Sequence, residues 1–443
     1  MTNERTSPGA PPSTGSAAVG SEPLPGHRAP TWYRSLAKDD RPAFWGGCLG
    51  WGLDAFDFTT LPMALGAIAS AFALNATQAG LIVTVTLLAS AVGGVLAGML
   101  ADRIGRVRVL MITIATFSVF TALSGLSQNY SQMLVFKALQ GLGFGGEWAA
   151  GAVLIAEIAA PRHRGRIFGF VSSAYAIGWG LAVLAGTVIF SFGDADAWRY
   201  LFFLGLLPAF LLLFIRRNVK DSEAFTEVRR ARLAGKVEVT GLVPGGLFQL
   251  FRRGLIRTTL LALLVGIGTQ GGYFAVFTWL PSYLRTERGL TVVGTGGYLA
   301  VVIVGCFFGY LLAGHLHDWI GRRRTFILFA ITGTVCILAY TWIPPGANNV
   351  LLVLGAPLGM AASGSLAGTG VLFSELFPSH VRGVGVGLAH NCGRGVAAFF
   401  PALVGLLSSM LGLGAAMGVG AVGYLMVIVG VLLLPETRGK QIA

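Results

Sequence analysis

Gly98-Met-Leu-Ala-Asp102-Arg103-Ile-Gly105-Arg106-Val-Arg108 decides the fold, because it returns as Gly314-His-Leu-His-Asp318-Trp-Ile-Gly321-Arg322-Arg323-Arg324. The two glycines, the aspartate and two arginines recur 216 positions later. A second pair, Glu157 with Arg164-Gly165 and Glu375 with Arg382-Gly383, recurs at 218. One two-residue insertion thus separates two otherwise parallel halves, the mark of an internal repeat.

The residues around each copy fix the environment. Of 443 residues, 54% are hydrophobic and 12% charged, which excludes an ordinary soluble domain. The apolar residues gather in runs at about 43–70, 78–100, 107–127, 131–158, 165–192 and 198–215. A second set lies at about 258–284, 292–316, 324–343, 349–374, 383–409 and 412–434. Each is close to the length a helix needs to cross a hydrocarbon layer some 30 Å thick. The expectation is an all-α membrane protein with twelve transmembrane helices in two pseudo-symmetric six-helix bundles. The 64 glycines fit it, since small residues let helices approach closely where apolar burial gains little.

The domain boundaries follow. Residues 1–40, rich in Pro, Gly, Ser and Thr, are expected to be a disordered cytoplasmic tail. An N-terminal bundle over 41–216 and a C-terminal bundle over 258–434 flank a basic cytoplasmic linker at 217–257, and 435–443 form a cytoplasmic C-terminus. With the amino terminus inside, 27 of the 32 Lys and Arg residues fall on cytoplasmic segments. The positive-inside rule therefore puts both termini in the cytoplasm of a cell (inner) membrane. The net charge of +13 marks an inner face and implies no nucleic-acid partner. Cys48, Cys306, Cys336 and Cys392 lie in apolar runs without metal or pairing spacing and read as packing residues.

Charges inside the runs are few, and such residues mark transport pathways. Asp54-Ala-Phe-Asp57 in the first span places two carboxylates three residues apart, on one helix face and roughly 16 and 21 Å deep. Two desolvated carboxylates do not both ionise cheaply, so one should carry a proton near neutral pH. The competing reading is a permanent ion pair with a cation of a neighbouring helix. Lys137 in the fourth span lies near the depth of Asp57, and Arg394 in the eleventh near that of Asp54. The planar fork of arginine suits a carboxylate ligand, so Arg394 is the expected anion anchor. Lys137, Asn391, Gln270 and Tyr273 complete the candidate substrate-binding set. Glu147 is either an inward proton relay or a helix-end charge. Phe58, Tyr175 and Trp179 read as lipid or core contacts. No metal site or cofactor is implied.

The two repeated loops resemble the signature of the major facilitator superfamily, between its second and third and its eighth and ninth helices. The resemblance implies a gating role for Gly98, Asp102, Arg103, Gly105, Arg106, Gly314, Asp318, Gly321, Arg322, Glu157, Arg164, Glu375 and Arg382, as a cytoplasmic charge network favouring one conformation. The acidic pair, Gly145-Gly146-Glu147 and Gly393-Arg394 look like the sialate/monocarboxylate and aromatic-acid proton symporters. That likeness implies a proton-coupled importer of a small organic acid in which Asp54, Asp57, Glu147 and Arg394 matter, not an enzyme. Its expected partners are a small organic anion, protons and the bilayer, and a single chain is the expected working unit. The fifth span contains no proline, unlike the Gly-Pro-bearing drug-proton antiporters, which favours uptake over export. A sugar facilitator, an exporter or a non-transporting nutrient receptor are the alternatives.

Overall fold

The computed structural model describes residue 33 and residues 41–104, 106–158, 164–192, 196–210, 248–344, 346–378 and 381–437. The expected tail at 1–40 lies almost wholly outside these residues, as does most of the linker; its last residues, from 248, form a helical turn before the second half. The regular structure described is helical throughout.

The first half holds α1 (Arg41–Ala71), α2 (Ala76–Ile104), α3 (Arg106–Gly125), α4 (Tyr130–Ile158), α5 (Arg164–Ser191) and α6 (Ala197–Phe210). The second holds α7 (Ile256–Thr286), α8 (Val292–Trp319), α9 (Arg322–Trp342), α10 (Asn348–Leu376), α11 (Arg382–Ala397, continuing as Phe399–Leu411) and α12 (Leu413–Leu433). Among the described residues, nine helices are long and apolar enough by composition alone to cross a membrane. The helix is forced on such segments because hydrocarbon offers the backbone no hydrogen-bond partner. Buried hydroxyls obey the same constraint by bonding back one turn, as Thr86 does to Ile82 O (2.8 Å), Thr121 to Phe117 O (2.8 Å) and Ser365 to Ala361 O (2.9 Å). Large apolar residues such as Leu184, Val353 and Met410 stay exposed, as a lipid-facing surface requires.

The duplication extends to helix packing. Gly93 of α2 lies against Leu142 of α4, and a methyl there would come within 2.7 Å of the Leu142 Cα; Gly309 of α8 meets Met360 of α10 at the same 2.7 Å. Gly141 lies against the Thr86 backbone as Gly359 lies against that of Val302. Gly52 and Gly178 join α1 to α5, and Gly266 and Gly393 join α7 to α11. Corresponding contacts sit 214 to 218 positions apart, so each half packs by one plan.

Two antiparallel seams join the halves. Along α2 and α11, Ala76 meets Gly405, Gly80 meets Pro401, Thr84 donates to Ala398 O (2.7 Å) and Gly94 meets Asn391. Along α5 and α8, Gly169 meets Tyr310 and Gly314, Gly180 meets Ile303, and Thr187 meets Gly296. At the end far from the α2–α3 turn, Gly66 of α1 reaches Ser282 of α7, and the Arg285 guanidinium lies 5.9 Å from the Phe190 ring.

Candidate functional site

Two polar groupings occupy the depth between the ends. The first lies inside the N-terminal half. The Lys137 ammonium donates to Gln140 Oε1 at 2.7 Å, and Gln140 Nε2 donates to Asp57 Oδ2 at 2.6 Å. Lys137 and Asp57 are both 0% exposed. The ammonium also sits 4.2 Å from the Phe202 ring centroid of α6, a cation–π contact. Gly205 of α6 is what admits Asp57: a methyl there would lie 2.9 Å from Oδ1 and collide with Thr121. Buried charges persist only when paired and hydrogen-bonded, and here the amide of Gln140 pairs them at one remove.

The second grouping lies on the seam. Arg394 of α11, 7% exposed, donates through Nε to Gln270 Oε1 (3.2 Å), and its Nη2 lies 3.1 Å from His390 Nε2. Arginine has no acceptor, so that histidine nitrogen accepts and its ring is neutral. Gln270 Nε2 in turn donates to His390 O at 3.0 Å. The guanidinium stands over Phe144 of the other half, 5.3 Å from the ring centroid, and its Nη1 has no hydrogen-bond partner among the described residues. Asp54 acts electrostatically on both Arg394 and Tyr175, and Tyr175 is hydrogen-bonded to Tyr273 across the halves.

On the side of Arg394 away from the α2–α3 turn the walls are aromatic. Phe58 stacks on Phe144 (5.2 Å, 14°) and meets Phe274 (5.8 Å), while Trp179 meets Phe277 edge-on at 5.2 Å. Phe58, Trp179, Tyr273, Phe274 and Phe277 enclose a gap of about 10 Å³. That holds no more than a water, so the halves are shut together on this side.

The packing sorts the expected residues. Asp54 and Asp57 do not share surroundings: Asp57 turns into its own half toward α3, α4 and α6, Asp54 toward Arg394. Lys137 is enclosed beside Gln140 and Phe202, with Gln140 standing between it and Asp57. Phe58 and Trp179 are core contacts, as one of the two readings expected, with Tyr175 packed against the same cluster. Gln140 joins the site without having been singled out by charge, and its place three residues after Lys137 puts the two on the same face. Asn391 stands against Gly94, and its Oδ1 has no hydrogen-bond partner among the described residues. The side chain of Glu147 lies outside the described residues.

At the α8–α9 turn the charge network is formed. Arg322 grips Glu375 with Nε and Nη2 (3.1 and 2.8 Å), while Nη1 reaches His317 O (2.6 Å) and Asp318 Oδ1 (3.2 Å). Gly321, at φ +95°, makes the turn, a conformation disfavoured for any residue with a Cβ. Glu436 accepts from the backbone N–H groups of Arg322 and Arg323, and Thr437 donates to Glu375 Oε2 at 2.6 Å, so the C-terminal segment is tied in. Of the remaining gating candidates, Gly314 lies on the α5–α8 seam, 3.7 Å from where a methyl on Gly169 would sit. Gly105 and the side-chain surroundings of Gly98, Asp102, Arg103, Arg106, Glu157, Arg164 and Arg382 lie outside the described residues.

This architecture matches known proteins along nearly its whole length. The model of the Major Facilitator Superfamily matches residues 47–401. The chain belongs to that superfamily. A probable 4-methylmuconolactone transporter of Cupriavidus pinatubonensis is 38% identical, the match covering 93% of this chain and 94% of that protein. The cis,cis-muconate transport protein of Acinetobacter baylyi is 32% identical over 88% and 92%. The sialic acid transporter NanX of Escherichia coli is 28% identical over 89% and 94%. Among solved structures, the partially occluded, inward-open xylose transporter XylE of E. coli superposes with a TM-score of 0.72 at 21% identity, covering 91% of this chain and 100% of that one; at that identity the likeness concerns the fold. As a superfamily member the protein is a multi-pass membrane transporter and not an enzyme.

Proposed function

We propose that this protein is a proton-coupled symporter that imports a small organic acid through the inner membrane by alternating access, with both termini in the cytoplasm. The observation that carries the reading is Arg394: a buried guanidinium on the seam, with one Nη unpaired, backed by the Phe144 ring and braced by Gln270 and His390. A carboxylate placed there gains charge-assisted hydrogen bonds that few other ligands supply. The aromatic walls support a planar, unsaturated acid within the class, and several relatives are named as transporters of organic acids. Tyr273, Tyr175 and Gln270 are the proposed neighbours of the ligand, with Asn391 at its inner edge. The chain is proposed to work as a monomer.

Asp57 is the proposed proton site, because a buried carboxylate held by one amide can be neutralised without unmaking an ion-pair contact. Asp54, set toward Arg394, is a second group that can take a proton, and while charged it competes with the ligand carboxylate for the guanidinium. Glu147 remains a proposed inward relay. The Arg322–Glu375 network and its counterpart at Asp102 and Arg106 are proposed to latch the cytoplasmic side between cycles.

Proteoliposomes carrying the purified protein test the reading with radiolabelled nicotinate, benzoate and muconate under an inward proton gradient. Accumulation above equilibrium is expected for at least one acid, and Arg394→Ala should weaken its binding by about tenfold to hundredfold, Arg394→Lys by less. Equal affinity in all three proteins would remove Arg394 as the anchor. Ligand binding without accumulation would make the protein a receptor.

A further inference from the structure

We propose that Gln140 is a spacer: by standing between Lys137 and Asp57 it keeps the pair from closing into a direct ion pair, and so keeps Asp57 able to gain and lose a proton. The inference rests on Asp57 being the proton site of the proposed symport.

The geometry assigns the role. An ammonium offers only donors and a carboxylate only acceptors, so an amide between them satisfies both in one orientation, oxygen toward lysine and nitrogen toward aspartate. That is the orientation present, at 2.7 and 2.6 Å. Gln140 is the hydrogen-bond acceptor that Lys137 has among the described residues. The lysine's other neighbour is the Phe202 ring, which accepts no strong hydrogen bond. Without Gln140 the ammonium would turn to Asp57. Coulomb attraction rises inversely with distance and is poorly screened in a site closed to water. Contact would therefore fix the carboxylate in its charged form and silence it as a carrier of protons.

The other groups around Asp57 leave this balance to Gln140. From α3 it meets Thr121, an uncharged partner whose hydroxyl is shared with Phe117 O; from α6 it meets the bare Gly205. Arg199, one turn before Phe202 on α6, spends its guanidinium on Asp196 and on the carbonyls of Gly125 and Ser127. On α1 itself, Asp54 stands one turn away toward Arg394. Among the described residues, Lys137 is the cation of this group not engaged by another carboxylate, and Gln140 stands between it and Asp57.

Two substitutions should move the proton affinity of Asp57 in opposite directions. Gln140→Ala removes the spacer, so the lysine closes on the carboxylate and the midpoint should fall. Gln140→Glu supplies a second carboxylate that takes the ammonium and shares a proton with Asp57, so the midpoint should rise. The readout is an infrared pH titration of the purified full-length protein, following the C=O band of the protonated carboxyl that Asp57→Asn abolishes. Shifts of about one pH unit each way are expected from making or losing a close charge contact. A residue that merely filled space would move the midpoint in neither variant. If both variants titrate as wild type, or shift the same way, the spacer role is overturned. If Asp57→Asn removes no titrating band, the proton-site assignment fails instead. Should Gln140→Ala not fold, the upward shift in Gln140→Glu decides.

Discussion

At the scale of single residues, the Asp57–Gln140–Lys137 row sets a stability problem as well as a transport one. Removing one partner of a buried charge pair leaves the other uncompensated and costs about 3–5 kcal/mol, whereas removing both together is often neutral. Lys137→Ala and Asp57→Asn should each lower the detergent unfolding temperature, the former more. The double variant Lys137→Met with Asp57→Asn should recover most of the loss while remaining inactive in proton-driven uptake. Additive losses would mean that the two side chains are energetically independent. The sequence disclosed that these charges lie at one depth, because depth is a count of residues at 1.5 Å each. It did not disclose which way they face. Residues three apart differ by only about 60° around a helix, and the border between the interior of a half and the seam happens to run through that angle on α1. Asp57 fell on one side of it and Asp54 on the other. The position of such a border depends on neighbours that are remote in the chain, such as Gly205, and carries no local signature.

At the scale of elements, close approach between helices does the holding, and its sites are testable one by one. A methyl on Gly141 would drive into the Thr86 carbonyl and crowd the Ala89 Cβ at 2.9 Å, both on α2. Backbone cannot swing aside, so Gly141→Ala should cost about 1–3 kcal/mol of stability. Gly297 on α8 has nothing within 4 Å of the same methyl. Gly297→Ala should be neutral or stabilising by up to about 1 kcal/mol, through helix propensity alone. Thermal unfolding of the two variants in one detergent separates these outcomes, and equal destabilisation would show that α2–α4 packing is not set by this contact. The helices themselves were legible, because an apolar run of membrane length admits little else. Their interruptions were not: α7 turns at Thr278–Trp279, α10 at Gly368, α11 at Ala398 and α12 at Gly418, without any dip in hydropathy to announce it. Pro281 and Pro401, each two or three residues beyond a break, were the available signal.

At the scale of the whole molecule, two halves that pack by the same plan are joined by glycine contacts along the two seams and by aromatic side chains beside them. Within a half, helices meet backbone to backbone at glycines. Between halves, on the side away from the α2–α3 turn, glycine contacts at Gly80–Pro401 and Gly405–Ala76 are joined by side-chain contacts: Phe58 on Phe274, Trp179 on Phe277, Arg285 near Phe190. Contacts of that sort can part without unravelling either bundle, which is what rocking about a central ligand demands. A lock placed on this side should therefore stop transport while leaving the fold intact. Gly66 and Ser282 offer the place, since a Cβ on Gly66 would lie 3.7 Å from Ser282 Oγ, close enough for two thiols to join. In a Cys392→Ser background, which removes the exposed native thiol, Gly66→Cys with Ser282→Cys should cross-link under mild oxidant. Uptake should then fall to background and return on reduction, with the unfolding temperature raised in the oxidised form, because the bond also restrains the unfolded chain. Undiminished uptake by a protein shown to be cross-linked would mean that this side never opens, and a rocking cycle would then be untenable.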